Sequence, residues 1–325
     1  MRGRRAVPLR QGGYRGIGVR HPALTRGPFT CTVRRDWQFQ GPDHKCSKGG
    51  SMLRKVCGAL VFLVLTAAVG LGQQSGYLDV YVAKVKPDKR AEFDAVGKKI
   101  AEANRRNNGD NWIALEVEYG EQNTVIFSSS RAAFGDIEKS SAIFMGAVGK
   151  AYGEAGALTL FQQFGSTLES SRSEIRQRRW DLSYNPPADL AAWAQVIAKT
   201  RWIRSVIVRV RPGHEAEFEA ELKEINAAAQ KSNMAGMRWT SQVAAGGSPF
   251  TYHISRLMTS LDELDHAPSM KSMLGDEGLE KFQKVNADTV AGVEYTFYRV
   301  VPELSSVPEA ISSLAPDFWN PKPHP

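Results

Sequence analysis

Twelve residues of this chain occur twice. Val82-Ala-Lys-Val-Lys-Pro-Asp-Lys-Arg-Ala-Glu-Phe93 returns as Ile207-Val-Arg-Val-Arg-Pro-Gly-His-Glu-Ala-Glu-Phe218, 125 residues later. Each copy reads as a strand running into a basic residue, a Pro-centred turn, and a helix whose first turn is acidic, as helix electrostatics favours. A chain that carries such a unit twice is built from two similar halves, and every other segment has to be read against that duplication.

In the first half, Tyr77 to Val85 is rich in Tyr, Val and Leu with no breaker, which predicts a strand apolar on both faces. Phe93, Val96, Ile100 and Ala103 then fall at helical spacing, up to a stop at Asn107-Asn108-Gly109. Trp112–Tyr119 and Thr124–Ser128 predict a hairpin, with Glu116 and Glu118 on a wet face. From Asp136 a helical region carries Gly146, Gly149, Gly153 and Gly156, which predict a break between two helices. Ser173–Trp180 predicts a closing strand, and its charges (Glu174, Arg176, Arg178, Arg179) suggest a solvated sheet edge. The second half repeats the order. Its strands are Trp202–Val210, Met237–Val243, Phe250–Leu257 and Val293–Val300. Its first helix carries Phe218, Leu222, Ile225 and Ala229, and Ser260-Leu-Asp-Glu263 reads as a capping box for its second.

The predicted fold class is therefore α+β: two ferredoxin-like βαββαβ units in tandem, over residues 77–183 and 202–305, with a linker at 184–201 and a tail at 306–325. Each four-stranded sheet has helices on one face only, so the other face needs cover, which the second copy can supply sheet against sheet. At an offset of 125, Phe127 aligns with Tyr252, Ser128 with His253 and Asp79 with Arg204.

The ends of the chain read differently. The whole sequence carries 42 basic and 34 acidic residues, but residues 1–51 hold 11 of the basic and 2 of the acidic ones, leaving 31 against 32 beyond them. The body of the protein is close to neutral, which removes the electrostatic case for nucleic-acid binding. Met52-Leu-Arg-Lys followed by the apolar run Val56–Leu71 and small residues at Gly70 and Gly72 has the layout of a secretory signal peptide over 52–72. Met52 is then the expected start, residues 1–51 an upstream or disordered stretch, and the protein exported to the periplasm or the exterior, free of the membrane once the signal is cleaved. Cys31, Cys46 and Cys57 all precede the expected cleavage, so no thiol nucleophile or Cys-ligated metal is expected.

The strand–Lys/Arg-Pro-(Asp/Gly)-x-x-x-Glu-Phe pattern, at Lys86-Pro87-Asp88 to Glu92-Phe93 and Arg211-Pro212-Gly213 to Glu217-Phe218, resembles the dimeric α/β-barrel superfamily, with its antibiotic-biosynthesis monooxygenase-like and NIPSNAP-like domains. The resemblance implies that one chain mimics the family's homodimer, a monomer acting as a pseudo-dimer, with ligand cavities between sheet and helices. It spans cofactor-free oxygenases, haem-degrading enzymes and isomerases, and so implies a fold more than a reaction. The haem-degrading branch uses an Asn on the first strand, and neither Tyr77–Lys86 nor Trp202–Arg211 contains one.

No phosphate loop, nucleophile elbow or metal-binding His pair is present. The candidate catalytic residue is His253, mid-strand, as a general base. Arg204, Trp239, Tyr252 and His266 are the candidate cavity residues. Arg204 either receives an anion or pairs with Asp79, and His266, four residues after Asp262, is the one basis for haem as an alternative to no cofactor. The function expected is binding of a small, partly apolar molecule, with a cofactor-free monooxygenase-like enzyme or a non-catalytic interaction domain as alternatives.

Overall fold

A computed structural model describes residues 76–320. The basic N-terminal stretch, the segment read as a signal peptide, the three cysteines and His324 lie outside the described residues.

The first half contains β1 (Tyr77–Val85), α1 (Arg90–Arg106), β2 (Ile113–Tyr119), β3 (Thr124–Arg131), α2 (Gly135–Ser166) and β4 (Leu168–Arg178). A connecting helix, α3 (Leu190–Lys199), leads into the second half: β5 (Trp202–Val210), α4 (Glu215–Lys231), β6 (Arg238–Ala245), β7 (Thr251–Met258), α5 (Met270–Thr289) and β8 (Val290–Val300). Two single-turn helices, α6 (Glu309–Ser312) and α7 (Pro316–Trp319), finish the described chain. The strands pair antiparallel in the order β1-β3-β2-β8-β5-β7-β6-β4 and close into a barrel. The two halves meet along two seams, β2 with β8 and β4 with β6.

Strand alternation explains why β1 and β5 are apolar on both faces. Val80, Val82, Leu115, Ile126, Trp239, Leu257 and Tyr298 point into the barrel and form one buried cluster. Their neighbours Ala83, Val85, Ala114 and Val125 point outward onto Phe93 of α1, while Val208, Val210 and Tyr252 pack on Phe218 and Leu222 of α4. A full side chain of this kind stabilises by roughly 1.5–3 kcal/mol when buried, so the inner and outer layers are both substantial cores. One mouth of the barrel is covered by the segments read as linker and tail. Ala194, Ile197, Ala198, Ile311 and Trp319 join the inner cluster, and Trp319 Nε1 donates to the Ala198 carbonyl at 3.2 Å.

Three expectations are corrected. First, β4 is no edge: it pairs with β1 and β6, and Glu174 and Arg176 are buried because they face the barrel interior. Second, Ser260 caps nothing. Glu263 does reach back, but to the Thr259 N–H at 2.7 Å, and Leu261–Leu264 is a 3-10 turn that Pro268 prevents from continuing into α5; Ser269 caps α5 instead. Third, the register of the second hairpin is slipped. Lys84 faces Thr124 and Arg209 faces Thr251, so β3 and β7 correspond at an offset of 127. His253 is therefore equivalent to Ile126 and Tyr252 to Val125. A slip of two keeps every side chain on its original face, which is why the 125-residue alignment looks coherent. The break in α2 falls at Gly153, with φ 70°, one of the four glycines expected to mark it; α5 breaks the same way at Gly275, φ 71°.

The β4–β6 seam has a backbone requirement of its own. Gly246 sits at φ +81°, and a Cβ there would lie 2.1 Å from the Ser173 carbonyl oxygen; Gly153 shares the positive φ but has open space around it. Gly153→Ala is expected to cost about 1–2 kcal/mol from backbone strain alone. Gly246→Ala should cost roughly 2 kcal/mol more, because the seam must also open. Urea unfolding of both variants checks this, and equal losses would contradict the seam geometry.

Candidate functional site

Between the outer face of the first sheet and helices α1 and α2 lies a cavity of about 540 Å³. Its walls are aromatic: Tyr81, Trp112, Phe127, Phe144, Phe161 and Phe164. Phe144 packs on Phe161 with ring centres 5.5 Å apart and takes the edge of Trp112 at 5.6 Å, while Phe164 packs on Phe93 at 4.9 Å. The Trp112 indole N–H is committed to the Leu304 carbonyl at 2.7 Å, which fixes the ring as a wall.

One end of the cavity is charged. Asp79 of β1 and Arg131 of β3 share the outer face with Tyr81 and Ser129, and Asp110 comes from the loop after α1. The Arg131 fork grips Asp110 at 2.8 and 2.6 Å and reaches Asp79 at 3.4 Å. Burial works against the Arg131 charge, but Asp110 and then Asp79 outweigh it and hold its pKa above the ordinary value. Asp110 is placed by Asn104, which is fully buried at the end of α1, accepts from the Asp110 N–H at 3.1 Å and donates to its carbonyl at 2.6 Å. Gly109 lets this loop close, since a Cβ would overlap Asn104. The triad has two carboxylates and one cation. The terminal nitrogens of Arg131 are engaged mainly by Asp110 while its buried Nε has no partner, and Asp79 has no hydrogen-bond donor besides Arg131 among the described residues. The cavity thus offers aromatic walls and, at its charged end, a carboxylate with lone pairs to spare, Asp79.

The second half does not repeat this chemistry. By strand pairing, Asp79 corresponds to Arg204, Asp110 to Gly236, Trp112 to Arg238, Ser129 to Arg256 and Arg131 to Met258. Arg204, Arg256 and Arg238 stand side by side across β5, β7 and β6. Burial, and then the neighbouring Arg256 charge, lower the Arg238 pKa.

The five candidate residues from the sequence are not brought together. Tyr252 is fully buried in the α4 core, and its hydroxyl donates to Glu219 at 2.8 Å. Burial and then Glu219 raise its pKa. His253, next to it on β7, must point to the opposite face and lies inside the barrel, as does Trp239. Arg204 does not pair with Asp79; it stacks over Tyr295 at 5.2 Å, while Asp79 turns to Arg131. His266 is exposed, its Nδ1 3.1 Å from the Asp262 carbonyl, and does not line the aromatic cavity, so the residue on which haem ligation rested is not at this site. No histidine, cysteine or methionine lines the cavity, and no cluster of His, Cys, Asp and Glu fit to hold a metal occurs among the described residues. No helix among them is long and apolar enough to cross a membrane. Sequence reasoning passed over Asp110 and Arg131. The divergence of Asp79 from Arg204 was the signal that pointed to this end of the cavity.

The eight paired strands decide the architecture. It is an α/β barrel of eight antiparallel strands, closed within one chain by two similar halves. No protein-family model matches the sequence, and no curated protein does. Among solved structures, a protein of Lactobacillus acidophilus NCFM described as a candidate monooxygenase is 8% identical over 70% of this chain and 94% of its own, with a TM-score of 0.45. A haem-binding protein of Thermus thermophilus is 10% identical over 74% and 96%, at 0.40. A mutant chlorite dismutase of Candidatus Nitrospira defluvii is 9% identical over 74% and 96%, at 0.43. Similarity at this level says nothing about what this barrel binds.

His253 yields a pH test. Burial first, then the charges of Arg176, Arg172 and Arg209, hold its pKa well below 6.5. The folded protein keeps it neutral where the unfolded chain takes up a proton, so its contribution to stability is present above pH 6.5 and is lost as pH falls below that value. At pH 5 the loss approaches about 2 kcal/mol. In urea titrations the stability difference between pH 7 and pH 5 should shrink by about that amount in His253→Gln; an unchanged difference would contradict the burial.

Proposed function

We propose that the protein binds a small aromatic molecule carrying a hydrogen-bond donor, such as a phenol, in the cavity of the first half. The observation that supports this most is the pairing of an aromatic enclosure with a carboxylate at one end, Asp79, whose only donor among the described residues is a long contact from Arg131. Aromatic rings favour the offset and edge contacts that Phe127, Phe144, Phe161 and Phe164 offer. A hydroxyl meeting a carboxylate forms a charge-assisted bond, stronger than a neutral one. A single chain supplies both halves of the barrel, so a monomer is the functional unit in this reading. Export rests on the pattern of residues 52–72 and belongs to the same proposal.

The alternative reading, a cofactor-free monooxygenase-like enzyme, asks one more thing of the same carboxylate. Asp79, rather than His253, takes the proton of the bound donor; the electron-rich anion forms a C–O bond to dioxygen, and the O–O bond then breaks with loss of water, the phenol being oxidised to a quinone as dioxygen is reduced. Oxygen uptake with a phenolic substrate, lost in Asp79→Asn, is the signature of that step.

Titration with 2-naphthol and its methyl ether tests binding. The phenol should bind about tenfold more tightly than the ether, the worth of one charge-assisted hydrogen bond. Asp79→Asn should bring the phenol down towards the ether while leaving the ether unchanged. Equal affinities in the unmodified protein, or no effect of the substitution, would overturn the reading.

A further inference from the structure

The barrel interior is not uniformly apolar. Near the mouth covered by α3 it encloses a chamber of about 110 Å³, with Trp193 and Ile197 in its wall. Leu78, Val80, Ile113, Leu115 and Ile126 form one side, and the other is polar, with Ser205, Ser241 and Ser255 alongside Arg176 and Arg178.

The two arginines are held differently. Arg176 is buried and pairs with Glu174, which accepts from Nε at 2.8 Å and from Nη2 at 2.7 Å. Arg178 has no carboxylate among the described residues. Its Nη2 donates to Ser130 Oγ at 2.8 Å, and its guanidinium lies 5.1 Å from the Trp180 ring centre and 5.8 Å from that of Trp239. Enclosure by the fold alone pushes the Arg178 pKa down to about 10, so the group is still a cation at neutral pH. Arg178 is thus a half-buried cation on the barrel wall that faces no carboxylate among the described residues, since Glu174 is already shared between Arg176 and Arg172. Two buried groups lack partners: the indole N–H of Trp239, a residue 7% exposed that lines the chamber, and Nδ1 of His253, 5% exposed. A buried polar group without a partner is costly, and a guanidinium that faces no carboxylate is free to take an anion.

We propose that this chamber is a second binding site, for a short-chain monocarboxylate whose carboxylate meets the Arg178 guanidinium and the Trp239 indole N–H. A monoanion gives Arg178 the partner it lacks, and a guanidinium fork matches the carboxylate geometry. The apolar wall from β1 to β3 takes the short tail, and the small volume favours a short acid over a long one. The chamber lies across the sheet from the aromatic cavity, and its occupancy does not depend on what that cavity binds.

Thermal unfolding of the full chain in propionate, against sodium chloride of matched ionic strength, tests the site. The Tm should rise saturably with propionate and not with chloride, because a ligand bound to the folded state alone stabilises it. Arg178→Met should abolish the rise while leaving the Tm in chloride close to that of the unmodified protein, since the half-buried Arg178 has no ion pair to lose. Trp239→Phe, which keeps an aromatic ring at the position and removes the donor, should need about tenfold more propionate for the same rise relative to its own Tm in chloride, and it carries the test if the arginine variant does not fold. A flat response in the unmodified protein, or an undiminished response in these variants, would overturn the proposal. Sulfate matching propionate would overturn the carboxylate assignment.

Discussion

Closure of the β4–β6 and β2–β8 seams is the constraint on which the rest of the molecule depends. A four-stranded sheet with helices on one side leaves its other face uncovered, and here each half covers the other. The seams combine ladder hydrogen bonds with side-chain pairs that cross between halves. Arg299 of β8 pairs with Glu116 and Glu118 of β2, and Arg179, just beyond β4, pairs with Glu219 of α4. Barrel closure also removes every exposed sheet edge among the eight strands, so the chain needs none of the usual devices against edge pairing.

Duplication within one chain also frees the halves to diverge, which two copies of one gene product in a homodimer cannot do. The first half keeps an aromatic cavity with carboxylates at one end. The second half places Arg204, Arg238 and Arg256 at corresponding positions. Inside the barrel the same freedom sets Arg176 and Arg178 of β4 opposite the equivalent Tyr298 and Val300 of β8. Every feature with chemical potential lies where the two halves differ, and the shared Lys/Arg-Pro motif serves only to start each first helix.

The fold was legible because its signals are local and periodic. The bounds of β1 and β5, the stripe from Phe93 to Ala103, and the break in α2 all follow from residue spacing. The site was less legible. Adjacent Tyr252 and His253 on a strand had to face opposite ways, and Trp112 and Trp239, which open equivalent strands, fall on opposite faces because those strands correspond at an offset of 126, not 127. The two-residue slip of β3 against β7 was invisible, since it preserves facing. Reading Arg176 and Arg178 as solvated followed from their charge; only the barrel's closure shows that a charged strand was placed inward. Asp110 owes its position to Asn104 and a closed loop, a tertiary arrangement that no spacing encodes.

The central claim is that ligand recognition resides in the first half, at Asp79 and the surrounding aromatic walls. A crystal structure of the protein soaked with 2-naphthol tests it most directly. The account predicts electron density between the first sheet and helices α1 and α2, the ring among Phe127, Phe144 and Phe164, and the hydroxyl at Asp79. Density beside Arg204, Arg238 and Arg256 in the second half, with the first cavity empty, would contradict it.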